Sequence, residues 1–167
     1  MPNEYVAPPQ TCIGHVHLKV ADLDRALAFY RDLLGFQITT RYGDQAVFLS
    51  AGGYHHHIGL NTWYSHHAPP APLHAAGLYH FAILYPTRKD LASIFARLQA
   101  ANYPITGASD HGVSEAIYLN DPDGNGVELY WDKPRDRWPH LPDGSLYMYT
   151  HPLDLRDLLK ELDTSYF

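Results

Sequence analysis

The sequence predicts an α+β protein made of two tandem βαβββ modules. Three observations lead there. Strand-like and helix-like patterns run in the order β-α-β-β-β, and then do so again. The two copies align on residues: Ala46-Val47-Phe48-Leu49 matches Ala116-Ile117-Tyr118-Leu119 at an offset of 70, and His15 matches His80 at an offset of 65. Between the copies, residues 66–77 are rich in Pro and His and carry no apolar period, which marks a linker.

The first module spans residues 12–65. Residues 13–20 read as a strand with Val16, Leu18 and Val20 on one face and His15, His17 and Lys19 on the other. Asp22 then suits the N-cap of a helix whose apolar stripe is Leu23, Ala26, Leu27, Tyr30, Leu33 and Leu34, with Gly35 as its stop. Three strands follow at 36–40, 46–50 and 55–61, separated by Tyr42-Gly43-Asp44 and Ala51-Gly52-Gly53.

The second module spans residues 78–133. A strand at 78–85 leads into a helix at about 88–101, striped with Leu91, Ile94, Phe95 and Leu98. Strands at 103–107, 115–120 and 126–131 complete it, the last two joined by the tight turn Asp121-Pro122-Asp123-Gly124-Asn125. Residues 1–11 form an N-terminal extension. Residues 134–167 form a C-terminal tail in which Leu155, Leu158, Leu159 and Leu162 define a short amphipathic helix at 154–162, suited to packing or to a dimer contact. Paired modules of this kind close as two curved sheets around a shared cavity.

Bulk properties narrow the function. The chain has 167 residues, 46% hydrophobic and 18% charged, with a net charge of −6 and scattered signs, which argues against nucleic acid or an anionic membrane as partner. No apolar run approaches the ~18 residues of a membrane span. The N-terminus lacks the pattern of a signal peptide, so the expected location is cytoplasmic. A single cysteine, Cys12, excludes an internal disulfide framework. The 12 histidines and 13 tyrosines stand out, and many sit inside patterned segments.

Three residues carry the chemistry. His15, His80 and Glu128 each lie on an alternating strand whose neighbouring apolar residues face the helix, so the three side chains face the cavity. Two imidazoles and one carboxylate are the donors of a divalent metal that keeps open positions. The offset of 70 places Ile58 opposite Glu128, so the first module supplies no fourth ligand. The expected metal-binding cavity is an open, catalytic one. His66, His67 and His74 read as surface loop. Trp63, Tyr79, Tyr85, Tyr130 and Trp131 read as pocket lining or core.

The arrangement resembles the vicinal oxygen chelate superfamily of glyoxalases, bleomycin and fosfomycin resistance proteins and extradiol dioxygenases. The matching stretches are Gly14 to Val20 with Asp22-Leu23, Phe29-Tyr30 to Leu34-Gly35-Phe36, His80-Phe81, and Asp121 to Asn125 with Glu128. Within it, Gly53-Tyr54-His55-His56-His57-Ile58-Gly59-Leu60-Asn61 and the run Gly107 to Glu115 are most similar to short catechol-2,3-dioxygenase-like proteins.

The resemblance implies a mononuclear non-haem enzyme that cleaves a catechol-like aromatic diol with O2. It implies Fe(II), with Mn(II) used by some members, held by His15, His80 and Glu128. It implies His56 as an acid/base histidine, Tyr118 ten residues before the glutamate as a hydrogen-bonding tyrosine, and His111 near the substrate. Strand parity also puts positions 56, 58 and 60 on the face that Glu128 occupies in the other copy, with His55 and His57 turned away. Extradiol enzymes are longer than this chain and hold the metal in their second half. Dimers are common in the superfamily. Two other readings stand beside this one: a glyoxalase-type isomerase or thiol transferase using Ni(II), Zn(II) or Mn(II), and a metal-free binding protein of the resistance type.

Overall fold

The computed structural model describes residues 4–163, and two sheets organise it. The first contains β1 (Val16–Lys19), β2 (Gln37–Tyr42), β3 (Ala46–Ser50) and β4 (Ile58–Asn61) in the order β1-β4-β3-β2. The second contains β5 (His80–Leu84), β6 (Ile105–Asp110), β7 (Ser114–Asn120), β8 (Gly126–Asp132) and β9 (His151–Pro152) in the order β5-β8-β7-β6-β9. Each sheet pairs its first and last repeat strands in parallel and its remaining strands antiparallel. The duplicated α+β architecture is therefore the one the pattern of residues implies. The addition is β9, which the tail lays against β6 through Ser109↔Pro152 and Asp110↔His151. Being paired on both sides, β6 runs on to Asp110 rather than stopping near residue 107.

Both repeat helices start as their caps dictate. Asp22 accepts the Arg25 N–H at the start of α1 (Leu23–Leu27). Thr87 and Asp90 form a reciprocal capping box at the start of α2 (Arg88–Ala100). The first helix departs from the expected uniform α-helix. Residues Ala28–Leu33 form a π-turn, in which the Leu34 N–H reaches the Phe29 carbonyl five residues back at 2.9 Å. The wider turn keeps Phe29 and Tyr30 both buried, and apolar spacing alone does not distinguish it from an α-helix over so few residues.

One continuous core runs through both modules, from Leu18, Leu49 and Leu60 to Leu91, Leu98 and Leu129. The modules are also joined by polar contacts. The Tyr30 hydroxyl donates to Asp121 at 2.7 Å, and the Ala21 N–H and the Arg25 guanidinium donate to Asp123 Oδ1 at 2.9 and 2.6 Å. Arg97 of α2 donates to the Leu33 carbonyl at 2.7 Å and to that of Asp32, closing the C-terminal end of the π-turn. At the far end, α3 (Leu155–Asp163) buries Leu158. Arg88 holds it there, donating to Asp157 and Glu161 of α3 and to buried Glu115 of β7.

The register corrects one expectation. His17 pairs with Gly59 and Phe48 pairs with Gly59, just as Ala82 pairs with Glu128 and Tyr118 pairs with Glu128. The position equivalent to Glu128 is thus Gly59 (59 to 128, an offset of 69), not Ile58. Ile58 and Leu60 point into the core. Gly59 lies eleven residues after its partner Phe48, whereas Glu128 lies ten after its partner Tyr118, and a difference of one residue is enough to exchange the two faces of a strand.

Candidate active site

On the face of the second sheet away from the core, β5, β7 and β8 bring four side chains into one connected chain. His80 Nε2 lies 3.0 Å from Glu128 Oε2. The Tyr118 hydroxyl stands 3.1 Å from the other oxygen of Glu128, and His111 Nε2 stands 2.6 Å from that hydroxyl. Each contact follows from local structure. His80 opens β5, whose parallel pairing with β8 sets it beside Gly126, where a Cβ would meet the Tyr79 carbonyl oxygen at 2.2 Å. Tyr118 and Glu128 are directly opposed across an antiparallel pair, so their side chains share a face. His111 sits in the turn between β6 and β7, where Asp110 caps the Gly112 N–H at 2.8 Å.

The electrostatics of this chain favour a neutral tyrosine. Burial, and then the Glu128 carboxylate beside it, push the Tyr118 phenol well above its ordinary range. The Glu128 side chain is only 13% exposed, whereas His80 is 32% exposed and reachable.

The corresponding face of the first sheet carries a different group. The His15 ring lies 4.4 Å from that of His56 and 6.4 Å from that of His55, and the two neighbouring rings touch through Nδ1 atoms 2.7 Å apart. His56 also stands 5.0 Å from the Phe48 ring, and His17 bridges Phe48 and Trp63 at 5.5 and 5.6 Å. Desolvation, and then His15, His55, His17 and His57, hold the His56 imidazole below its ordinary value, so its neutral form is favoured. Burial, and then His15, lower His17 in the same sense. His57 turns elsewhere: its Nδ1 is 3.0 Å from the buried Ser50 hydroxyl and 3.3 Å from the Ala51 nitrogen.

His56 therefore lies beside His15, and strand parity is not the reason. Residues 51–57 lie outside the ladder, which begins at Ile58, so alternation does not carry back through them.

The structure thus brings His80, Glu128, Tyr118 and His111 together, and separately brings His15 and His56 together. It does not unite His15 with His80 and Glu128. Among the described residues, no three His, Cys, Asp or Glu side chains are grouped to hold a metal ion. Both β1 and β5 are edge strands, and they do not pair with each other. The His80–Glu128 pair nonetheless fits part of a metal centre: two donors each about 2.1 Å from one ion and at right angles stand about 3 Å apart. The measured separation of 3.0 Å matches that spacing.

Two features escaped the sequence. The His17 ring fills the space over Gly59, where a Cβ would come within 2.9 Å of it. The one-residue difference in spacing was the available signal. The second is the contact of His111 Nδ1 with the Tyr149 carbonyl at 2.9 Å, which joins the tail to the site and has no local signature.

Comparison with known proteins places the chain in a family. Residues 12–129 match the model of the glyoxalase/bleomycin resistance protein/dioxygenase superfamily. The chain is 50% identical over 151 residues to a catechol-2,3-dioxygenase of Bacillus subtilis (strain 168), a match that covers 90% of this chain and 52% of that protein. It is 31% identical over 121 residues to biphenyl-2,3-diol 1,2-dioxygenase 3 of Rhodococcus globerulus, covering 72% of this chain and 63% of that one. Among solved structures it is similar to a lactoylglutathione lyase from Agrobacterium tumefaciens, with a TM-score of 0.57 and 26% identity over 74% of this chain and 96% of that chain. The chain spans about half the length of the Bacillus relative. No helix among the described residues is long and apolar enough to cross a membrane. The duplicated modules, their register and these matches together show that the chain belongs to the glyoxalase/bleomycin resistance protein/dioxygenase superfamily.

Proposed function

We propose that this chain is an extradiol-type dioxygenase that cleaves a catechol-like aromatic diol with O2, using one divalent metal ion. The observation that carries the reading is the His80–Glu128 pair with Tyr118 hydrogen-bonded to its carboxylate. Similarity to dioxygenases of aromatic diols supports it. Fe(II) is the first choice of metal, with Mn(II), Ni(II) and Zn(II) as alternatives.

His80 and Glu128 hold the ion, with His15 as the third ligand. Within one chain His15 lies with His56, so the third donor is the partner subunit's His15, in a homodimer formed where β1 of one copy meets β5 of the other. A two-fold interface of this kind makes two equivalent sites. The bound ion supplies a common anchor for the diol and O2 and a path for electrons between them.

The protein's groups do the rest. Tyr118, held neutral, keeps its proton and offers its hydroxyl as a hydrogen bond to a diol oxygen. The partner's His56, held neutral, accepts a proton from the second diol hydroxyl at its ring nitrogen and returns it once the ring has opened. The partner's Phe48, the partner's His17 and the partner's Trp63 present flat faces for the substrate ring.

Oxygen uptake on adding simple catechols to anaerobically prepared, Fe(II)-loaded protein tests the activity. Uptake that disappears in His80→Ala is expected. Metal binding without uptake across a catechol panel would overturn the dioxygenase reading in favour of Lewis-acid chemistry. Mixing His15→Ala chains with His80→Ala chains tests the shared site: random pairing restores about a quarter of the intact sites, whereas a site built within one chain restores none.

A further inference from the structure

The tail beyond the repeat reaches the candidate site at the 110–112 turn, and its shortest polar contact there is made by the main chain of Tyr149. The Tyr149 carbonyl oxygen lies 2.9 Å from His111 Nδ1, and the Tyr149 N–H donates to the His111 carbonyl at 3.3 Å. A carbonyl only accepts, so the His111 proton sits on Nδ1. The Thr150 hydroxyl is also near Nδ1, but at 3.3 Å it is the longer contact and can accept as readily as donate. Nε2 is then left as an acceptor, and the Tyr118 hydroxyl is 2.6 Å from it.

The grip is steric as well as polar. Gly112 has φ +81°, and a Cβ there would stand 2.7 Å from the Tyr149 ring and 2.9 Å from Pro139. Tyr149 also stacks on His151 at 4.3 Å, and His151 belongs to the strand that pairs with Asp110. The 110–112 turn is thus clasped between the sheet and residues 139–151.

We infer that Tyr149 is a positioning residue: its main chain fixes His111 as the Nδ1–H tautomer, and its ring keeps the tail seated against Gly112 so that this contact persists. This makes His111 a hydrogen-bond acceptor for the Tyr118 hydroxyl and rests on the dioxygenase reading only for what Tyr118 then does. The hydroxyl has one proton and two acceptors, Nε2 at 2.6 Å and Glu128 at 3.1 Å. The tail decides that His111 competes for it. An Nε2–H imidazole would instead donate to the same oxygen and turn the hydroxyl proton toward Glu128.

Nitrogen-15 NMR of the histidine rings in the full chain tests this directly. The His111 signals are expected to show a protonated Nδ1 and an unprotonated Nε2. In Tyr149→Ala the Nδ1–H pattern is lost, while Tyr149→Phe, which keeps the ring and the main chain, retains it. With catechol and Fe(II), Tyr149→Ala lowers kcat by about 10–100-fold with KM little changed, and Tyr149→Phe behaves as the parent. A protonated Nε2 in the unsubstituted protein would overturn the inference, even if Tyr149→Ala failed to fold. A protonated Nδ1 in a protein without catechol activity would uphold the tautomer and sink the dioxygenase reading instead.

Discussion

Phe48 and Tyr118 occupy the same place in two copies of one sheet, and only the tyrosine has a carboxylate opposite it. Phe48 faces Gly59 across β3 and β4, whereas Tyr118 faces Glu128 across β7 and β8. The two copies have thus diverged within a common frame. The second sheet carries an acidic, hydrogen-bonded group, and the first carries an aromatic and imidazole-lined one.

Removing the hydroxyl separates these roles. Tyr118→Phe removes the one hydroxyl proton for which Glu128 Oε1 and His111 Nε2 compete, and should cost about 1–2 kcal/mol in urea denaturation. The His80–Glu128 pair does not depend on that hydroxyl, so metal affinity measured by titration should be retained. Catechol cleavage should fall by about 100-fold. Phe48→Tyr should restore none of it, because Gly59 offers no carboxylate.

Two glycines with close neighbours should respond differently to the same methyl group. In Gly59→Ala the new Cβ meets the His17 ring, an exposed side chain that can swing aside. The expected loss is about 1 kcal/mol, and it should vanish in a His17→Ala background. In Gly126→Ala the Cβ meets the Tyr79 carbonyl, which belongs to the main chain beside β5. That variant should lose about 3 kcal/mol, and no side-chain substitution should rescue it. Thermal denaturation of the three variants and the double variant distinguishes the cases.

Tyr30→Phe probes the joint between modules. The Tyr30 hydroxyl is buried and bonded to Asp121, whose Oδ2 retains Asn125 Nδ2 at 2.9 Å as a second donor. Loss of a hydrogen bond to a charged acceptor should cost about 2 kcal/mol, read as a lower denaturant midpoint with an unchanged slope.

Acid should loosen the tail. Burial alone would raise the Asp110 carboxyl, but the Lys133 ammonium and the Gly112 N–H outweigh it and hold it below 3.8. The Arg88 guanidinium, and then Lys160, hold Asp157 below 3.8 as well. Groups depressed on folding stabilise fully above the unfolded value, and that contribution is lost as pH falls through the folded one. Tail contacts should therefore be intact above about pH 3.8 and weaken below it. The Trp138 indole N–H, bonded to the Lys133 carbonyl at 2.8 Å, provides the NMR signal to follow.

How much of this was legible in the sequence depends on the range of the interaction. The His15–His80 equivalence was readable because each residue stands next to a helix-capped strand whose apolar alternation is unbroken. The Tyr118–Glu128 relation was readable through the ten-residue spacing that the resemblance implies, and the register that opposes the two residues gives that spacing its physical basis. Gly59 was misplaced as Ile58 because a single extra residue between paired positions changes the face without changing the composition. His56 came out beside His15 through a non-ladder bend that alternation does not describe. The Tyr149–His111 contact joins residues whose meeting depends on the path of an irregular tail, and no local pattern records such a path.

The two-residue strand β9 has a consequence for assembly. It covers the outer edge of β6 and ends in Pro152, which has no N–H to offer a further strand. The second sheet is therefore blunted on that side, and among the described residues its strand-adding edge is the one left at β5.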